Sequence, residues 1–189
     1  MTPNMKKTLL LLSWIILGTL AAHSQLPTYQ CALKNDSLLS PTVYEFDIWL
    51  KNPSVTTFEL GNFQAGILVN PDINAGGSFH VALVPGGSQP NAAQQPASVL
   101  YSAADNCLKV APKAPPVFGE GSLVSAMDDG VRVCRLRITG SLAFATAKPD
   151  LALNFTVFPY NTVVSAFDRT AHLLADITSA GSHTVTGLV

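Results

Sequence analysis

The feature that most constrains this chain is an apolar alternation of period two. From Val43 to Leu50, Tyr44, Phe46, Ile48 and Leu50 fall on one side and Glu45, Asp47 and Trp49 on the other. Only extended backbone separates those sets, because successive side chains of a strand point to opposite faces. The period returns at 131–139, where Cys134, Leu136 and Ile138 oppose Arg135 and Arg137. It returns again at 151–158, with Leu151, Leu153, Phe155 and Val157 on one side. Shorter apolar runs stand at 63–69, 79–84, 98–101, 108–111, 122–126, 163–167 and 184–188. Between them lie turn formers such as Asn70-Pro71-Asp72, Gly76-Gly77-Ser78 and Pro85-Gly86-Gly87-Ser88. Asp129-Gly130 reads as the hairpin turn between 122–126 and 131–139. Pro115-Pro116 bars 112–121 from the interior of a sheet, and 141–147 reads as one short helical turn. Nowhere does an amphipathic helical period persist. The expected fold class is all-β, and about nine to eleven strands are too many for one flat sheet, which predicts a two-sheet β-sandwich.

The chain has 189 residues, 48% hydrophobic and 12% charged, enough apolar material for one core. Part of that belongs to the first 24 residues. Lys6 and Lys7 precede an apolar run from Leu9 to Ala22, and Ala22-His23-Ser24 offers small residues for cleavage, so 1–24 reads as a secretory signal peptide. A run of this length falls short of the roughly 20 residues that span a bilayer, and no membrane span is expected after cleavage. The expected division is therefore signal peptide 1–24 and one domain, 25–189. Cleavage removes two of eleven cations, leaving nine basic against twelve acidic residues and a formal charge of −3. Nucleic acid is not an expected partner of such a chain.

Export to an oxidising compartment changes how the cysteines Cys31, Cys107 and Cys134 are read. Cys107 and Cys134 both stand in or beside apolar strand-like runs, and a bridge between them would contribute roughly 3 to 4 kcal/mol; three buried free thiols are the alternative. No C-x-x-C spacing supports zinc. Asp72-Ile-Asn74-Ala-Gly76-Gly77 begins like a calcium loop, but Leu83 stands where a bidentate Glu belongs, and a plain turn is expected. Glu45 and Asp47 share a strand face at a spacing that invites comparison with a glycosidase acid pair, yet an exposed face carries such residues for solubility. No G-x-S-x-G, Walker or H-E-x-x-H pattern is present. No catalytic residue, metal or cofactor is expected, and the chain is read as a non-enzyme. Trp49 is the informative residue: alternation sets it on the polar face beside Glu45 and Asp47. A ring flanked by acceptors suits a sugar, the ring stacking on C–H groups and the carboxylates accepting hydroxyl protons. The bland reading is a Trp49 covered by a loop or by the rest of the sandwich.

The segments Val43-Tyr-Glu-Phe-Asp-Ile-Trp-Leu50, Phe58 to Ile67, Asn91 to Pro96, Asn106-Cys107 and Arg132 to Arg137 resemble the N-terminal module of Bacteroidota-type secreted surface proteins. Such modules are often carried with a type IX secretion sorting domain, and the resemblance spans nearly all of 29–166. It implies a non-enzymatic extracellular module whose paired cysteines map onto Cys107 and Cys134. More distantly, Phe63 to Ile73 resembles a strand of cohesin-like and carbohydrate-binding jelly-roll sandwiches. The combined expectation is a secreted or cell-surface jelly-roll sandwich that binds a polysaccharide or matrix through Trp49, Glu45 and Asp47. Its rival is a structural or protein-interaction module of cohesin type, docking a surface protein. No sorting domain follows Val189, which adds periplasmic residence to the expectations.

Overall fold

In the computed structural model the described residues are 26–185, apart from 112, 126–128, 146–147, 157 and 159. The expected signal peptide lies outside them. Twelve strands are found among the described residues: β1 (Gln30–Ser40), β2 (Val43–Lys51), β3 (Phe58–Leu68), β4 (Phe79–Leu83), β5 (Ser98–Ser102), β6 (Cys107–Ala111), β7 (Leu123–Val124), β8 (Val131–Gly140), β9 (Ala152–Leu153), β10 (Val163–Phe167), β11 (Leu174–Asp176) and β12 (His183–Val185). The first sheet has the order β12-β1-β2-β8-β4, and the second β11-β10-β3-β6-β5, with β7 and β9 each adding a short antiparallel pairing to β3. All pairings are antiparallel except β12 on β1. Consecutive strands cross repeatedly between the sheets, and the all-β, two-sheet sandwich expected from the alternation is what forms.

The core lies between the sheets. Leu33, Phe46, Ile48, Leu50, Leu136 and Ile138 from the first meet Leu60, Ala65, Ile67, Leu108, Val110 and Val164 from the second, all at most 1% exposed. Each of these side chains other than that of Ala65 contributes about 1.5–3 kcal/mol by leaving water. The apolar half of β2 fills this layer as its period requires.

Several expected elements differ. β1 carries Lys34, Asn35, Asp36 and Ser37 in its middle, where a bulge between Lys34 and Ser37 breaks the pairing with β2 and Asn35 takes a positive φ of 56°. Asp129-Gly130 does not close a hairpin, because β7 pairs with β3 in the second sheet while β8 lies in the first. The run at 151–158 is strand only at Ala152–Leu153; Asn154 turns the chain, accepting the Thr162 amide on its carbonyl (2.6 Å) and donating from Nδ2 to the Tyr160 carbonyl (2.9 Å). The returning loop lies over Gly66, where an added Cβ would strike the Tyr160 carbonyl. At Asp72 the plain turn is present: Asn70 Oδ1 accepts the Asp72 amide (3.0 Å) and Asn74 Oδ1 the Gly76 amide (2.9 Å), which engages those side-chain oxygens with backbone.

The expected Cys107–Cys134 disulfide is corrected. All three cysteines are buried free thiols. Cys134 points into the core from the first sheet, whereas Cys107, buried but outside the core cluster, lies on the outer side of the second under Asn154. Sheets stack about 10 Å apart and a bridge needs Cα atoms within about 7 Å, so two side chains on opposite sides of a sheet layer cannot meet. Burial pushes all three thiols upward in pKa.

Candidate functional site

The outer face of the first sheet holds the three residues that alternation placed on a polar side. Register sets Ser37, Glu45, Arg137 and Ala82 in one row across β1, β2, β8 and β4, and Lys34, Asp47 and Arg135 in the next. A second bulge, between Ile48 and Trp49, then brings Arg132 opposite Trp49, with Ala32 on its other side.

Cross-strand pairing turns these rows into an ion-pair network. Arg135 donates from Nε to Glu45 Oε2 (2.6 Å) and from Nη1 to Asp47 Oδ1 (2.8 Å). Arg137 reaches the other Glu45 oxygen, Oε1, from Nε (2.7 Å) and Nη2 (2.6 Å). Asp47 Oδ2 accepts from Asn35 Nδ2 (2.9 Å) and Trp49 Nε1 (3.3 Å). The bulge in β1 and the left-handed turn of Asn35 are what aim that amide at Asp47, a conformation asparagine tolerates better than most residues.

The network corrects the expectation of an open acidic face. Glu45 is 5% and Asp47 2% exposed, although neither faces the core. Burial pushes the Glu45 carboxyl upward, but hydrogen bonds from Arg135 and Arg137, with their charges, outweigh it and hold Glu45 below the usual carboxylate range. A carboxyl held ionised in this way is the reverse of a general acid. All four carboxylate oxygens already accept from protein donors. Trp49 itself is half-buried, and the Lys34 ammonium lies 4.0 Å from its ring centroid, a cation–π contact that occupies one ring face.

Among the described residues the other charged side chains of this face are cationic. Lys51 is exposed at the end of β2, and Arg132 donates from Nη2 to the Gly86 carbonyl (3.4 Å) while its buried Nε has no hydrogen-bond partner among the described residues. These cations escape sequence reasoning because Arg132, Arg135 and Arg137 stand some ninety residues from β2, and only the pairing of β2 with β8 brings them to Trp49. The outer face of the second sheet differs: loops cover it at Gly66 and at Glu59, whose Oε1 accepts the Gly119 and Gly121 amides (2.8 and 2.7 Å). His80 and His172 are exposed, whereas His183 is half-buried against Tyr29 and Phe155. An open cleft of about 410 Å³ lies at the sandwich end between Leu26, Val55, Phe58 and Arg169, away from the network. Among the described residues no group of three or more His, Cys, Asp or Glu is placed to hold a metal ion, and no helix is long and apolar enough to cross a membrane.

No protein-family model matches the chain, and no curated protein matches it. Among solved structures it is similar to a chain of a type II cohesin–X-dockerin complex, an N-terminal interface mutant, from Acetivibrio cellulolyticus. The likeness has 8% sequence identity and a TM-score of 0.44 over 84% of this chain and 95% of that one.

Proposed function

We propose that the chain is an exported, non-catalytic protein-interaction module that docks a partner on the outer face of its first sheet. The observation that carries this reading is the saturation of Glu45 and Asp47 by Arg135, Arg137, Asn35 and Trp49. Carboxylates only 5% and 2% exposed, each already accepting from three donors, are poorly placed to take a sugar hydroxyl, which weakens the glycan site expected at Trp49, Glu45 and Asp47. The face is a five-stranded surface on which ion pairs hold Glu45, Asp47, Arg135 and Arg137 in place, and such pre-organisation lowers the cost of binding a folded or extended polypeptide. A glycan reading keeps one supporting feature, the partly exposed Trp49 ring.

A photoreactive amino acid at position 51, on this face, and at position 100, exposed on the outer side of the second sheet, tests the proposal in the secreting organism. Position 51 is expected to yield discrete protein adducts and position 100 none. Retention on a glycan array that disappears in Trp49→Ala, with no adduct from position 51, would overturn it in favour of the sugar.

A further inference from the structure

Charge is distributed very unevenly over this molecule. Beyond Gln25 the chain has nine basic and twelve acidic residues, and five of the nine, Lys34, Lys51, Arg132, Arg135 and Arg137, stand on the outer face of the first sheet. Of the eleven carboxylates among the described residues only two, Glu45 and Asp47, share that face. Among the described residues that face therefore has a formal charge of +3 and the remainder −5. Arg135 and Arg137 are committed to the two carboxylates. Among the described residues no carboxylate pairs with Lys34, Lys51 or Arg132, and these three surround Trp49.

Resting on the reading of this face as a protein-docking surface, we infer that its partner is an acidic polypeptide segment. Carboxylates of the partner meet Lys34, Lys51 and the Arg132 guanidinium, whose hydrogen bond from Nη2 to the Gly86 carbonyl is long at 3.4 Å. Trp49 supplies the apolar centre, the kind of aromatic anchor that dominates interface energies when ringed by polar groups. An acidic polysaccharide fits less well, because Lys34 already occupies one face of the indole, the ring that would stack on a sugar. Complementary charge of this kind accelerates encounter and makes binding sensitive to salt.

The probe is fluorescein-labelled poly-L-glutamate, measured by anisotropy against the chain beginning at Gln25, which keeps every described element. Binding is expected at low ionic strength and should weaken progressively as salt is added. Lys34→Glu combined with Lys51→Glu should weaken it at least about tenfold, and the corresponding double Gln variant should fall between, with unchanged circular dichroism in both. No binding of poly-glutamate, or equal binding by the double Glu variant, overturns the inference. Tight binding of polygalacturonate but not of poly-glutamate assigns the face to an acidic glycan instead. Concentration-dependent sedimentation that the double Glu variant abolishes assigns it to a second copy of this chain. Adducts from position 51 that poly-glutamate does not compete away leave the docking face standing and overturn only the acidic partner.

Discussion

Arg135 is the side chain on which the outer face of the first sheet depends. Its guanidinium spans two carboxylates from adjacent turns of the β2 pleat, and without it Glu45 and Asp47 would be buried charges with too few donors. Breaking such a pair from one side costs about 3–5 kcal/mol. Arg135→Ala should therefore lose about that much stability in urea unfolding, while Arg137→Ala, nearly half exposed, should lose under about 1 kcal/mol. Equal losses would contradict the hierarchy. The pH dependence follows from Glu45. Its folded pKa lies below the unfolded value of about 4.3, so its contribution is complete above that pH and is lost as pH falls through the folded value. Thermal melts of Glu45→Gln should accordingly show a shallower loss of stability below about pH 4 than the parent chain. None of this was legible in single strands: alternation placed Glu45, Asp47, Arg135 and Arg137 on outward faces correctly, but exposure was inferred from polarity, and only the register of β2 with β8 makes them partners.

At the scale of the element, strands with a sustained period were legible nearly to the residue, as β2 and β8 were. β1 was not, although it is among the longest, because the polar run Lys34-Asn35-Asp36-Ser37 that builds its bulge erases the alternation. The run at 151–158 erred the other way: its apolar period is real, but Asn154 spends its hydrogen bonds on the returning loop and stops the strand. That loop is predicted to be fixed by Gly66, where any Cβ meets the Tyr160 backbone. Gly66→Ala should destabilise the domain and expose Cys107 beneath the loop to thiol reagents before Cys31 and Cys134. The parent chain should consume three equivalents of Ellman's reagent in denaturant and react slowly when native, since burial holds all three thiols protonated. A single equivalent would restore the disulfide and contradict the placement of Cys107 outside the core.

For the whole molecule, an excess of positive charge on one sheet face of an acidic domain is the property that sets its behaviour toward other molecules. Net charge read from the sequence conceals it, because the cations are scattered over 34–137 and are gathered only by folding. Trp49 stands in the middle of that face, and it is the single tryptophan beyond Gln25, so its emission reports on the face alone. Iodide should quench it more strongly than caesium, and Lys34→Glu with Lys51→Glu should reverse that order. The most direct measurement is a titration of the chain from Gln25 with unlabelled poly-L-glutamate at low salt, following Trp49 emission. The account predicts a saturable change that added salt and the double Glu variant both abolish. An emission spectrum that stays constant through the titration, or that changes equally in the double variant, would contradict it.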